Sequence, residues 1–203
     1  MQLFYGLFWV FFAALIGKSA GMYRRMKVLG KEEQRATQMY AWLVILPLVF
    51  FAVTRSNYFA DTPQYIREYR SIPDDLGGTM TYIRNRTKDT GFYALSAVIH
   101  LFAGEHFRYF FLVIALIQGY CLMTTYRKYS DDYWFALFAF VATTDYISWM
   151  YNGIRQFTAV AITFAAADSV FKKKYVKAMI IIAFASLFHK TALMMIPIIF
   201  ITG

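Results

Sequence analysis

The chain has 203 residues, 59% hydrophobic and 20% aromatic, with only 16% charged and a formal net charge of +9 at pH 7. Its apolar residues gather in blocks too long and uniform for a soluble core, which identifies an integral membrane protein. The lysines and arginines stand between those blocks, where they set topology and meet anionic head groups, so nucleic acid is not an expected partner and the lipid bilayer is.

The fold class expected is all-α, a polytopic transmembrane helical bundle forming a single domain over residues 1–203. The first apolar run starts at Leu3 and precedes Lys18, Arg24, Arg25, Lys27, Lys31 and Arg35. That charge order is the reverse of a signal peptide's and predicts a retained span over 3–20 with its N-terminus outside. A second span over 39–54 carries Pro47, which a membrane helix tolerates as a kink.

From Arg55 to Arg108 charges appear among aromatic residues. Asp61-Thr62-Pro63 is a helix start, with a capping side chain ahead of a proline. Tyr65, Ile66, Tyr69 and Ile72 then form a narrow apolar stripe, the pattern of a helix lying in the membrane interface. Gly77-Gly78 breaks it. The run Gly91 to Gly104 is apolar, yet about 21 Å long as a helix at about 1.5 Å per residue, against a hydrocarbon core of about 30 Å. If it does not cross, the clusters Lys18 to Arg35, Arg127-Lys128 and Lys172 to Lys177 all fall inside, so the positive-inside rule favours an interfacial or re-entrant piece within an outer loop over 55–106. His100 and His106 are then expected at the interface.

Further spans follow over 107–126, 133–150, 157–171 and 178–201. Small residues Ala159, Thr163, Ala166 and Ala167 give the helix after Arg155 a close-packing face. Asp168 lies within a turn of Lys172, as an ion pair would. The chain stops just past an apolar run and reads as the N-terminal portion of a longer pattern. Cys121, the single cysteine, lies in an apolar run and reads as a small core residue; no disulfide, metal cluster, nucleotide-binding glycine loop or cofactor is signalled.

Two polar interruptions stand out. Trp149-Met150-Tyr151-Asn152-Gly153-Ile154-Arg155-Gln156 separates two apolar runs, and His189-Lys190 lies inside the next; ionisable groups there are costly and need a reason. The topology puts Asn152 to Gln156 on the same outer side as Asp61.

The string Asn152-Gly153-Ile154-Arg155-Gln156, the Ala-rich span and Lys-rich turn after it, and Phe188-His189-Lys190-Thr191-Ala192-Leu193 with Pro197 resemble the EpsG-type membrane proteins, Wzy-like polymerases of bacterial exopolysaccharide and capsule. Arg55, Tyr58, Asp61-Thr62 and Tyr65 resemble that family's first outer loop. The resemblance covers nearly the whole chain, and only the N-terminal part of the family's usual length. It implies a fold like that of lipid-linked glycosyltransferases and a place in the bacterial cytoplasmic membrane. It also implies joining, at the outer face, of oligosaccharide repeat units carried on polyprenyl pyrophosphate, in company with other polysaccharide-synthesis membrane proteins.

Such a transfer needs cations for the departing pyrophosphate and a base for the acceptor hydroxyl. Arg155 and Arg55 are the candidate cations, because guanidinium binds phosphate bidentately and stays charged. Asp61 is the candidate base, and His189 a candidate for orienting sugar, holding phosphate or sharing the proton work. Tyr65, Asn152, Gln156 and Lys190 are candidate substrate-binding residues. Plainer roles stand beside these: a helix cap for Asp61, a head-group anchor or a partner of Asp145 for Arg155, a structural hydrogen bond for His189. A flippase for lipid-linked sugar and a non-catalytic scaffold are the alternative functions; a flippase would be expected to show internal repeats, which the sequence lacks.

Overall fold

The computed structural model describes residues 45–130, 133–143 and 148–202, and these form an all-α structure with no strand among them. The expected first span, the start of the second and Asp145 lie outside the described residues. Residues 45–53 are helical and include Pro47. There follow α1 (Thr62–Arg70), α2 (Leu76–Arg84), α3 (Thr90–Ala103), α4 (Phe107–Tyr129) and α5 (Tyr133–Ala142). A π-helical turn (Ser148–Asn152), α6 (Ile154–Phe171), α7 (Tyr175–Ser186), a 3-10 turn (Lys190–Met195) and α8 (Ile196–Thr202) complete the order.

The central helix is α6, packed between α4 and α7. Its small-residue face makes this possible: Ala159 is 0% exposed and Ala166 1%, so neighbouring backbones approach closely. At its far end Asp168 binds Lys172 at 3.3 Å and also Lys128, and accepts from the Tyr129 hydroxyl at 2.6 Å. The expected i,i+4 pair is thus part of a cluster that joins α6 to the end of α4. Cys121 is buried in the core, as read from its surroundings.

Among the described residues α4 is the one helix long and apolar enough to cross a membrane. Large apolar side chains nonetheless face outward all around the bundle, among them Phe50, Tyr120, Phe135, Phe164, Ile180 and Phe184. Exposed apolar surface of this kind suits contact with lipid or with another protein.

Three expectations change. The stripe on α1 faces protein: Tyr65, Ile66, Tyr69 and Ile72 are all buried, because α3 and α4 offer rings to meet them. Tyr69 stacks on Phe110 at 5.4 Å and meets His100 edge-on at 5.0 Å. His100, expected at the interface, is buried there, with Nε2 3.0 Å from Asp74. The apolar run over 178–201 is not one continuous α-helix: α7 ends at Ser186, and the chain passes through an extended His189 into the 3-10 turn. The freed groups find partners at this break, where the Leu187 carbonyl accepts from the Gly91 backbone N–H at 2.8 Å. Such broken helices are tolerated at membrane depth when buried in protein.

The short apolar run is a helix of 14 residues, α3, held against α4 by Phe92 and Ala97. Gly91 belongs where α3 meets the break: a Cβ there would lie 2.7 Å from that of Leu187. Gly104 ends α3 at φ +55°, a left-handed position that suits glycine.

Candidate functional site

The loops at the N-terminal end of α6 bring four stretches of chain together. Gly153 precedes α6, and Arg155 is its second residue, half-buried. The guanidinium donates to the Tyr93 hydroxyl at 2.9 Å and pairs with Asp89 at 3.4 Å. It also lies 5.8 to 5.9 Å from the ring centres of Tyr65, Phe92 and Tyr93. Arg155 is held by rings and a carboxylate with one edge still accessible, its side chain being 25% exposed. Burial opposes its charge, but the Tyr93 and Tyr65 hydroxyls and the Glu68 carboxylate outweigh that and hold its pKa above the ordinary value.

Asp61 precedes α1, but its side chain makes no capping bond. The carboxylate faces Asn152 instead. Oriented to complement it, the Asn152 amide nitrogen donates to the two Asp61 oxygens at 3.1 and 3.2 Å. Asn152 further accepts, through its backbone carbonyl, from the Tyr65 hydroxyl at 3.1 Å. Tyr65 thus connects the Asp61–Asn152 pair to the Arg155 cluster. Burial raises the Tyr65 pKa, with Arg155 opposing, and the same holds for Tyr93, so both hydroxyls are held protonated. Strain gathers here too: Ala60 and Asp89 have φ of 51° and 53°, left-handed values that non-glycine residues seldom adopt.

Arg55 sits elsewhere in this frame. It is 7% exposed, stacked over Phe111 at 4.3 Å and Tyr151 at 4.7 Å, and donates to the carbonyls of Ala52 and Met150. Its contacts tie the end of helical residues 45–53 to the π-helical turn that carries Asn152. Gln156 follows Arg155, half-buried, its side chain 3.9 Å from where a Cβ on Gly153 would lie.

His189 is at the helix break, half-buried, with Nδ1 accepting from the Thr191 backbone N–H at 3.5 Å and lying 2.8 Å from its hydroxyl. Lys190 starts the 3-10 turn and is exposed. The break packs against α6, and through the Leu187–Gly91 bond it reaches the segment that carries Asp89 and Tyr93.

Several members of the cluster lack a sequence signal of their own. Arg86 stacks over Tyr82 at 4.4 Å and Tyr93 at 4.3 Å, a second cation beside the first. Asp89 opens α3 without capping it and turns its carboxylate to Arg155. Glu68 and Tyr93 complete the set. No group of histidine, cysteine and carboxylate side chains arranged to hold a metal occurs among the described residues.

A family model described as the EpsG family matches residues 38–202, most of the chain. The chain belongs to the EpsG family. No curated protein and no solved structure matches it. Membership connects this EpsG-family chain to polysaccharide biosynthesis and to the membrane, and the match spans both polar motifs. The candidate site is a cationic and aromatic cluster at the N-terminus of α6, joined through Tyr65 and Asn152 to the Asp61 carboxylate.

Proposed function

We propose that the protein is a polysaccharide polymerase, a membrane glycosyltransferase that extends an exopolysaccharide or capsule chain from repeat units on polyprenyl pyrophosphate. It would lie as a multi-pass bundle in the bacterial cytoplasmic membrane, its site at the outer face, among other polysaccharide-synthesis membrane proteins. The observation that carries the reading is Arg155: a guanidinium set at a helix N-terminus, braced by Tyr93 and Asp89, with Arg86 nearby. Fixed cations at a helix start suit a diphosphate.

In the proposed reaction the acceptor hydroxyl oxygen bonds to the anomeric carbon while that carbon's bond to the pyrophosphate oxygen breaks. The electron pair leaves with polyprenyl pyrophosphate, whose charge Arg155 and Arg86 stabilise. Asp61 takes the hydroxyl proton, its orientation set by Asn152, and Gln156, the third residue of α6, contributes to substrate binding. His189 and Lys190 serve the phosphate or sugar from the helix break. The donor's energy lies in its lipid pyrophosphate, so the proposed step needs no nucleotide.

Deletion of the gene tests this against a flippase. A polymerase defect leaves lipid-linked single repeat units on the outer face of the membrane. Accumulation on the inner face instead would overturn the reading.

A further inference from the structure

The end of α6 opposite Arg155 carries a second polar surface. Six basic residues gather there: Arg127 and Lys128 close α4, Lys172, Lys173 and Lys174 form the turn after α6, and Lys177 lies in the first turn of α7. They outnumber the three carboxylates near them in sequence, Asp131, Asp132 and Asp168, two to one, and of these Asp168 is the one within the described residues. Asp168 binds both Lys128 and Lys172. One carboxylate shared by two ammonium groups leaves a unit of positive charge over, and Lys173 and Lys174, the next residues of the same turn, are exposed.

The backbone of this turn is at odds with its sequence. Helix α6 ends in a Schellman motif, in which the Lys174 N–H donates to the Ser169 carbonyl at 2.8 Å and the Lys173 N–H to that of Val170 at 2.9 Å. The closing residue of that motif is left-handed, and glycine is its usual occupant. Here it is Lys173, at φ 56°. A strained backbone kept for a lysine points to a use for its ammonium group. The neighbouring side chains restrict what that group meets: Phe171, Tyr129 and Val176 are 66%, 45% and 68% exposed, with the first two rings in edge contact at 4.9 Å. Cations set among exposed apolar side chains suit a ligand that is anionic at one end and apolar at the other. An acidic peptide in water would leave the rings uncovered.

We infer that the C-terminal ends of α4 and α6, with the turn into α7, form a binding site for an anionic phospholipid, its headgroup phosphate on Lys172 and Lys173 and the first carbons of its acyl chains against Phe171 and Tyr129. Asp168 is a positioning group in this site. It holds the Lys128 and Lys172 ammonium groups side by side from two helices, so a phosphate oxygen that meets both fastens α4 to α6. The site lies at the far end of α6 from Arg155 and does not rest on the proposed reaction.

Thermal unfolding of the full chain in lipid nanodiscs tests this, with phosphatidylcholine alone against a mixture with phosphatidylglycerol. The anionic lipid is expected to raise the melting temperature by about 3 °C. Lys173→Gly separates binding from folding: relief of the left-handed strain makes the variant more stable than the wild type in phosphatidylcholine, yet it loses about half of the gain from phosphatidylglycerol. Arg84→Gln removes an equal charge from α2 and keeps the whole gain. A full gain in Lys173→Gly, or equal losses in Lys173→Gly and Arg84→Gln, would reduce the effect to overall charge and overturn the site. In detergent, short-chain phosphatidylglycerol reproduces the shift, whereas inorganic phosphate and a polyglutamate peptide do not. A shift as large from either of those would overturn a lipid as the ligand.

Discussion

With its amide oriented to complement the carboxylate, Asn152 donates to both oxygens of Asp61, at 3.1 and 3.2 Å. A residue of the turn before α6 therefore fixes the carboxylate that precedes α1. The pairing invites an exchange. Asn152→Asp alone places two carboxylates together, and their repulsion costs about 1 kcal/mol of stability after screening at this exposed position. Adding Asp61→Asn restores the hydrogen bond and the melting temperature. Polymerising activity does not return, since the base now stands on the wrong element. Recovery of both together would show that only the hydrogen bond matters.

Arg155 depends on how α6 begins, and α4 secures that. Gln118, 1% exposed, donates to the Ile154 carbonyl at 3.3 Å and the Thr158 hydroxyl at 3.0 Å. Gln118→Met keeps the volume and removes both bonds, for a loss of about 1–2 kcal/mol. Thermal unfolding in detergent measures that loss, and turnover by intact variant protein falls because the α6 start is less firmly held.

Gly91 joins the short helix α3 to the break before His189. A methyl group there would meet Leu187 at 2.7 Å, and the Leu187 backbone at 3.2 Å offers little room to yield. Gly91→Ala is expected to cost about 1–3 kcal/mol through overpacking. Protease cleavage near Leu187 increases in the variant, whereas a substitution at Gly104, with nothing within 4 Å, leaves that site protected and strains only its own backbone.

Alkaline unfolding reports on the phenols. Burial pushes the Tyr69 hydroxyl from 10.0 up to about 12. The folded state thus holds the proton more tightly than the unfolded chain does. Its contribution is complete below about pH 10 and is lost as pH rises toward about 12. Tyr82 and Tyr93, also raised by burial, act in the same direction. Tyr69→Phe flattens the stability loss in that window and costs little at neutral pH, because its hydroxyl has no partner among the described residues. An unchanged alkaline slope would contradict the burial of this phenol.

The polar residues of the candidate cluster stand out in residue order: Asn152, Arg155 and His189 interrupt apolar sequence where a charge or amide is costly, and Asp61 stands ahead of a proline at a helix start. The helical class and the packing face of α6 were legible for the same kind of reason, a repeating pattern within one element. What escaped were residues whose meaning arises only across elements. Asp89 lies 66 positions from Arg155, and Tyr93 62, so in sequence they look like an ordinary helix start and a belt tyrosine. The stripe on α1 was visible, but periodicity cannot say whether a stripe faces lipid or the rings of α3 and α4. Arg55 shows the converse: its charge beside a span stood out, and only the contacts with Phe111, Tyr151 and the Met150 carbonyl reveal that it supports the turn. The break at His189 depends on Leu187 finding Gly91, which no local propensity records.

Polymer length made by membranes carrying Arg155→Lys tests the phosphate role of Arg155 most directly, with membrane insertion checked alongside. Lysine keeps the charge but loses the fork that binds Tyr93, Asp89 and a phosphate together. Chain extension is expected to fall by a hundredfold or more, on the order of 3 kcal/mol of lost transition-state stabilisation, with single repeat units accumulating. Full-length polymer from correctly inserted Arg155→Lys protein would contradict it.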